Sequence, residues 1–219
     1  MSGPALAPAV TPTSSIEALE PFIAGRLRPL DAYDAAEAAA RSDFDLNPDA
    51  RPTGRTLAPA AVLVGLVERE DGLSVLLTRR SDTLRKHSGQ VAFPGGRMEP
   101  GETPAEAALR ESWEEVGLDH RFVRLVGLGD AHETGTGFSI TPVVGFIRPG
   151  FELKAFDAEV AEIFETPFAF LMEASNHQLR SMMSPDGVER RFYAMEHGGR
   201  TIWGATAGMI RALKERLFG

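Results

Sequence analysis

Stretches of apolar and polar residues predict several strands and a few helices along this chain. Ala60–Val67 is a continuous apolar run closed by Asp71-Gly72, a pattern typical of a buried strand that ends in a turn. Ser74–Thr78 predicts the hairpin partner of that strand. Further strands are predicted at Phe122–Leu128, Ile140–Ile147, Phe192–Met195 and Thr201–Trp203. The acidic stretch Asp157–Glu165 indicates a loop or a helix, and the whole pattern favours a mixed α/β domain.

The N-terminal part has a different composition. Residues 1–13 are rich in Pro, Ala and Thr, which is typical of a loose tail. Ser15 is a suitable N-cap for a short helix, and the alanine-rich stretch Asp31–Arg41 predicts a second one. We therefore divide the chain into an N-terminal tail with a helical extension, residues 1–46, and a main domain, residues 47–219.

The clearest helix signals lie around Pro104–Val116. Thr103 is a suitable N-cap, Glu106 completes a capping box with it, and Gly117 stands where a left-handed C-cap is needed. A second clear helix, Ala207–Phe218, is predicted to close the domain. The capping residues therefore predict where the acidic helix begins and where it ends.

Three carboxylates share one side of this helix. At about 100° per residue, they fall within an arc of roughly 100°; they are Glu111, Glu114 and Glu115. Ala107 and Ala108 flank them and are too small to obstruct a ligand. The other side is expected to face the core, and it carries Ala105, Leu109, Trp113 and Val116.

Carboxylates this close repel one another unless a cation lies among them. Oxygen ligands without His or Cys suit Mg²⁺ or Mn²⁺ rather than zinc. Arg110 precedes Glu114 by one turn, so it can pair with Glu114 and hold the acidic side in shape. The alternative is an ordinary solvated side of an amphipathic helix.

Composition and charge exclude several classes of function. The chain has no cysteine, which excludes disulfides, zinc–thiolate sites and cysteine nucleophiles. Its 23 Lys+Arg and 31 Asp+Glu give a net charge of −8, which disfavours nucleic-acid binding. There is no run of about eighteen apolar residues and no basic segment of a secretory signal. We therefore expect a cytoplasmic protein that does not enter membranes.

The spacing of the acidic residues resembles the signature of the Nudix hydrolase family. The pattern is G-x5-E-x7-RE-x-x-EE-x-G, formed by Gly96, Glu102, Arg110, Glu111, Glu114, Glu115 and Gly117. Ser112 departs from it, because an aliphatic residue is usual there. The resemblance implies a Nudix fold, a mixed sheet between helices. It also implies that Glu111 and Glu115 ligate a divalent metal, with Glu114 a ligand or a base, while Glu102, Arg110 and Gly117 support the motif.

A second segment, Leu76–Gly96, resembles the signature of the coenzyme A pyrophosphatase branch of that family. The resemblance implies that Arg80 and Arg85 bind substrate and that Gly95 and Gly96 let the backbone approach its phosphates. The implied reaction is Mg²⁺- or Mn²⁺-dependent hydrolysis of coenzyme A, or of acyl-CoA, to adenosine 3′,5′-bisphosphate and 4′-phosphopantetheine.

Several alternatives stay open. The substrate could be another nucleoside diphosphate derivative such as ADP-ribose, or the protein could be a Nudix module that senses a nucleotide without cleaving it. The catalytic base is sought among Glu114, Glu159 and Glu162, although the last two could equally be surface carboxylates. The sequence also leaves open whether the protein forms a homodimer.

Overall fold

The computed structural model describes residues 15–37, 39–81, 89–156, 159–184 and 187–219. Within these ranges the α-helices are α1 (Ile16–Ala24), α2 (Pro104–Val116), α3 (Phe168–Met172) and α4 (Gly204–Phe218). The strands are β1 (Arg41–Ser42), β2 (Ala58–Arg69), β3 (Gly72–Arg80), β4 (Val91–Ala92), β5 (Gly95–Arg97), β6 (Val123–Leu128), β7 (His132–Glu133), β8 (Phe138–Ile147), β9 (Val160–Pro167), β10 (Gln178–Met183), β11 (Glu189–His197) and β12 (Arg200–Trp203). No helix in these ranges has the length and apolarity needed to cross a membrane.

The described strands form one large mixed sheet and one small antiparallel sheet. The large sheet has the order β1-β7-β8-β2-β3-β4, with β5 paired to β2, β6 to β8 and β9 to β3. Strand β2 runs parallel to β8 and antiparallel to β3, which makes the sheet mixed, as predicted. The small sheet has the order β10-β11-β12.

Helices cover both sides of the large sheet. Alternate residues of a strand point to opposite sides, so β3 supplies Leu77 to one core and Leu76 to the other. The first core also contains residues of α1 and α4, and the second contains Ala107 and Val116 of α2. The predicted arrangement of a mixed sheet between helices is therefore confirmed.

The N-terminal extension packs as part of this architecture. Ser15 caps α1 as predicted, through a bond from the Ala18 amide to its hydroxyl. Ile23 of α1 is fully buried in the first core, and Phe22 stacks on Phe218 at 5.3 Å between ring centroids. Strand β1 adds to the large sheet beside β7. The domain boundary at residues 46 and 47 stays a prediction.

The predicted second helix, Asp31–Arg41, is wrong. The described residues of this stretch form turns and irregular structure, and Arg41 begins β1. The side chain of Asp34 accepts a bond from the Ala36 amide at 2.8 Å, a local turn that competes with helix formation. The Arg28 guanidinium also binds the Ala32 carbonyl, which draws the chain into this turn. These side-chain hydrogen bonds outweigh the helix propensity of the alanines.

The acidic stretch predicted as a loop or a helix contains β9, which pairs antiparallel with β3. Its acidic residues pair with arginines of other strands, Glu165 with Arg69 of β2 and Glu162 with Arg79 of β3. Glu165 accepts a bond from the Arg69 Nε at 2.9 Å, and Glu162 lies opposite Arg79. Cross-strand charge pairs of this kind stabilise a strand that local sequence does not favour. The other predicted strands, and the closing helix, are confirmed.

Candidate active site

Helix α2 begins and ends at the predicted residues. The Thr103 hydroxyl accepts a bond from the Glu106 amide at 3.3 Å, and the Glu106 carboxylate accepts one from the Thr103 amide at 2.8 Å. Gly117 has a φ of 67°, the left-handed conformation expected of a C-cap glycine. These caps fix where the acidic residues of the helix lie relative to the sheet.

The buried side of α2 differs from the prediction. Trp113, expected in the core, is 57% exposed, and Leu109 is only partly buried. Instead, small residues face the sheet: Ala107, Ala108 and Ser112 are fully buried. Their size lets the helix approach the sheet closely, and the Ser112 hydroxyl is satisfied by donating to the Ala108 carbonyl at 2.6 Å. Glu115 lies on this buried side as well.

Glu115 is buried, with 7% of its surface exposed. Its Oε2 accepts a bond from the Gly95 amide at 3.0 Å, and its Oε1 lies 3.9 Å from the Arg80 guanidinium. Burial raises the pKa of Glu115 to about 7; the Gly95 amide and Arg80 act in the opposite direction, and the nearby charges of Glu111 and Glu159 add to the increase. A cation bound beside this carboxyl group would therefore stabilise its ionised form.

Glu111 lies against the neighbouring glycine. A Cβ on Gly96 would lie 2.5 Å from the Glu111 carboxyl carbon, so a side chain there would force the Glu111 carboxylate to move. Burial also raises the pKa of Glu111, and the charges of Glu114 and Glu159 contribute, whereas Arg110 opposes the shift. Glu115 and Glu111 thus lie beside Gly95 and Gly96, two consecutive residues of β5.

Arg110 binds three acidic residues of the predicted motif. Its guanidinium donates to Glu102 at 2.8 and 3.0 Å, to Glu111 at 2.9 Å and to Glu114 at 3.2 Å. The predicted contact with Glu114 is present, but Glu102 is the main partner, and this pairing lowers the pKa of Glu102. A further bond reaches the Arg97 carbonyl at 3.0 Å. Arg110 therefore ties the acidic side of α2 to the segment that precedes the helix.

The donor chemistry of this cluster fits a hard divalent cation. Glu111 and Glu115 offer carboxylate oxygens, their pKa values are raised by burial, and each carries a charge that repels the other. In the part of the chain that the structure describes, no three acidic or imidazole groups converge on one point. The reason is that Arg110 holds Glu111 and Glu114, while Glu115 is directed to the Gly95 amide.

Glu162, predicted as a catalytic residue, is not brought into this cluster. It lies opposite Arg79, whose side chain follows that of Leu77 to the α4 side of the sheet, whereas Arg80 points to the α2 side. The Glu162 carboxylate is held there by Arg200, with the Nε at 3.3 Å, and by Arg79 at 3.6 Å, and these contacts lower its pKa.

Glu159, the other acid considered as a base, lies nearer the cluster. Its charge contributes to the raised pKa values of both Glu111 and Glu115, and its carbonyl accepts a bond from the Ser81 amide at 2.8 Å. Glu159 directly precedes β9, so the alternation of that strand does not determine where its side chain points. Arg85, the second predicted substrate contact, lies outside the described residues.

The raised pKa of Glu115 predicts a pH-dependent stability. Its folded-state pKa, about 7, exceeds the ordinary value of 4.5, so the folded protein binds more protons than the unfolded chain between these values. The stability that protonation of this group gives the folded protein is therefore fully present below pH 4.5 and is lost as the pH rises through 7. With EDTA present, Glu115→Gln is expected to raise the melting temperature at pH 8 by roughly 6–12 °C, because it removes a cost of about 3 kcal/mol.

The matched control is Glu106→Gln, on the same helix. Its pKa is lowered by the bonds from Thr103, so this substitution should remove stability above pH 4.5 rather than add it. Differential scanning calorimetry at pH 4.5 and pH 8 measures both. Equal melting temperatures for Glu115→Gln and the original protein at pH 8 would contradict the burial argument.

Comparison with known proteins now places the chain among relatives. The model of the NUDIX domain family matches residues 56–198. A Yersinia enterocolitica protein described as "uncharacterized Nudix hydrolase NudL" is 38% identical over 159 residues, covering 72% of this chain and 80% of the relative. The Cronobacter sakazakii protein of the same description is 42% identical over 156 residues, covering 70% and 80%. A Caenorhabditis elegans Ap4A hydrolase structure aligns at 18% identity and a TM-score of 0.45, covering 50% of this chain and 80% of that one.

Proposed function

The chain belongs to the Nudix family, and from this premise we propose that it hydrolyses the diphosphate bond of coenzyme A and its thioesters with Mg²⁺ or Mn²⁺. The products are adenosine 3′,5′-bisphosphate and 4′-phosphopantetheine. One observation carries the proposal: the carboxylates of Glu111 and Glu115 lie beside Gly96 and Gly95 of β5, and the Arg80 guanidinium lies 3.9 Å from Glu115.

In this proposal, Glu111 and Glu115 hold the divalent ion and Glu114 completes the set. When bound, the ion neutralises charge that develops on the diphosphate oxygens as the P–O bond breaks. Arg110 already contacts Glu111 and Glu114, so it positions both side chains and offsets their repulsion until a cation takes over that role. Glu102 and Gly117 support this arrangement, the first through Arg110 and the second by ending the helix.

The diphosphate is proposed to lie over Gly95 and Gly96. Neither residue carries a side chain, so a phosphate oxygen can approach the backbone closely. Arg80 lies at the end of β3 beside Glu115 and is only partly buried, which leaves its guanidinium able to donate to a phosphate.

For the base that activates water, we propose Glu159 in place of Glu162. The charge of Glu159 acts on Glu111 and Glu115, whereas Glu162 is bound to two arginines on the other side of the sheet. A base must lie within reach of the water that attacks the bound phosphate. Glu159→Gln should therefore lower turnover far more than Glu162→Gln.

Coenzyme A is preferred over other diphosphates because Leu76–Gly96 resembles the signature of the coenzyme A pyrophosphatase branch. The relatives are described as Nudix hydrolases without a substrate, so the choice requires an assay. Purified protein is incubated with Mg²⁺ or Mn²⁺ and either coenzyme A, ADP-ribose or a dinucleoside polyphosphate, and the products are identified by mass. Much faster cleavage of ADP-ribose would remove the specific proposal, and no cleavage of any substrate would favour a sensing module.

Two neighbouring arginines give a matched pair for testing substrate binding. Arg80→Ala removes a cation from the α2 side and is expected to raise the KM for coenzyme A by about 10–100-fold, the effect of losing a charge-assisted bond. Arg79→Ala removes a guanidinium group from the opposite side of the sheet, where Arg79 contacts Glu162. This variant should leave the KM nearly unchanged. Steady-state kinetics on both variants measures this, and equal effects would exclude the role given to Arg80.

A further inference from the structure

A cavity of about 500 Å³ lies on the α4 side of the molecule, away from the acidic helix. Its walls come mainly from β11, from α4 and from the segment 41–47, and no residue of α2 or of β5 lines it. Sites for small ligands commonly have volumes of roughly 300–1,000 Å³. The cavity is thus large enough for a nucleoside with a phosphate and separate from the site proposed for hydrolysis.

Aromatic rings form much of its wall. Phe192 and Trp203 are in edge-to-face contact, with 5.6 Å between ring centroids. Neither is fully buried, so part of each ring faces the cavity. Tyr193 lies beneath the Arg211 guanidinium, 4.2 Å from the ring centroid, and Phe44 contributes from the N-terminal segment. Such a wall suits a flat aromatic ligand, because stacking on these rings removes apolar surface of the ligand from water.

The carboxylates of the cavity already have partners. Asp43 accepts bonds from His132 and from the Gly135 amide, both at 2.8 Å. Asp45 accepts one from the Ser42 amide at 2.9 Å. Glu215 pairs with Arg41 at 2.9 Å and with Arg211 at 3.1 Å. His132 itself is buried, and its Nδ1 has no hydrogen-bond partner among the residues that the structure describes.

Two further arginines, both on β11, line the cavity. Arg190 and Arg191 add two guanidinium groups, so the described lining has four arginines against three carboxylates in a chain of net charge −8. The Arg191 backbone is fixed by two bonds of 2.8 Å with the Asn47 side chain, which leaves its exposed side chain to reach a ligand. Guanidinium groups at the edge of an aromatic cavity favour a ligand with a phosphate at one end.

We infer that this cavity is a second, non-catalytic site that binds a nucleoside monophosphate, with the base against Phe192 and Trp203 and the phosphate at Arg191. The inference does not require the chain to hydrolyse coenzyme A. It goes beyond the proposed function, because the cavity lies across the sheet from the acidic helix and shares no residue with it.

The chain offers a direct optical test, because it has two tryptophans and only Trp203 lines the cavity. Trp113→Phe removes the exposed tryptophan of α2 and leaves Trp203 as the only one. Adenosine 5′-monophosphate, titrated with EDTA present, is expected to quench the remaining fluorescence in a saturable manner. Adding Arg191→Ala should weaken the apparent Kd by about tenfold or more. Adenosine without phosphate should bind weakly and be insensitive to Arg191→Ala.

Two further variants locate the ligand. Arg180→Ala removes a half-buried arginine of the same small sheet, one paired with Glu196 outside the cavity, and should leave the quenching unchanged. Arg80→Ala should also leave it unchanged. Absence of saturable quenching, or quenching insensitive to Arg191→Ala, would overturn the inference. Quenching lost with Arg80→Ala and kept with Arg191→Ala would overturn it too, because the nucleotide would then occupy the proposed catalytic site. Failure of the hydrolysis assays alone would leave the inference intact.

Discussion

Glu115→Gln is expected to lower the turnover of coenzyme A by about 10²–10³-fold with the fold intact. The substitution keeps the size of a side chain that is 7% exposed and can still accept the bond from the Gly95 amide, so packing is preserved. What disappears is the negative charge that would hold a divalent ion at the diphosphate. Loss of one preorganised electrostatic contact in an active site has effects of about this size.

The measurement is steady-state kinetics at saturating Mg²⁺ or Mn²⁺, together with circular dichroism and the melting temperature. Glu106→Gln on the same helix is the control, because a glutamine at this position can still complete the capping box and the side chain lies in solvent. It should keep nearly full turnover. Unchanged turnover in Glu115→Gln would refute the role given to the acidic cluster, since this carboxylate is its most buried member.

Gly95→Ala should destabilise the protein by about 3 kcal/mol or more, since a side chain there meets backbone rather than a movable group. A Cβ would approach the Ala61 carbonyl oxygen and would lie 2.6 Å from the Val62 Cα, both in the central strand β2. That strand pairs with Gly95 and Gly96, so it cannot shift without disturbing the sheet. The melting temperature is expected to fall by roughly 6–12 °C.

Substitutions at two other glycines distinguish the steric cost of an added side chain from the conformational cost of a positive φ. Gly96→Ala meets the end of the flexible Glu111 side chain, so it should lower turnover with a smaller loss of stability. Gly101→Ala meets no atom within 4 Å but has a φ of 85°, so only the conformational cost of about 1–2 kcal/mol remains. Thermal melts of the three variants measure the order. A stability loss in Gly95→Ala no larger than in Gly101→Ala would exclude the backbone clash.

The bounds of α2 could be predicted because the residues that determine them are adjacent in sequence. Thr103, Glu106 and Gly117 determine the helix ends through hydrogen bonds between residues that are close in sequence. The buried side of the helix could not be predicted in the same way. Val116 faces the core as expected, but the large apolar residue Trp113 does not, and small residues such as Ala108 are buried there instead.

The acidic cluster was predicted from spacing, but its separation from Glu162 depended on contacts distant in sequence. Recognising β9 required the arginines that neutralise its acids, and Arg69 and Arg200 lie far from it along the chain. Once a strand is assigned, alternation places Glu162 on the side away from Glu115. The bond between Gly95 and Glu115 was likewise missed, because a backbone amide leaves no signal in a sequence motif.

The stacked rings of Phe22 and Phe218 join the beginning and the end of the described chain. Both lie outside residues 56–198, the span that matches the family model. A fragment cut to that span would lose α1 and α4 together and would expose to water the apolar surface of the sheet that these helices cover. We therefore expect a fragment limited to residues 56–198 to be less stable than the whole chain.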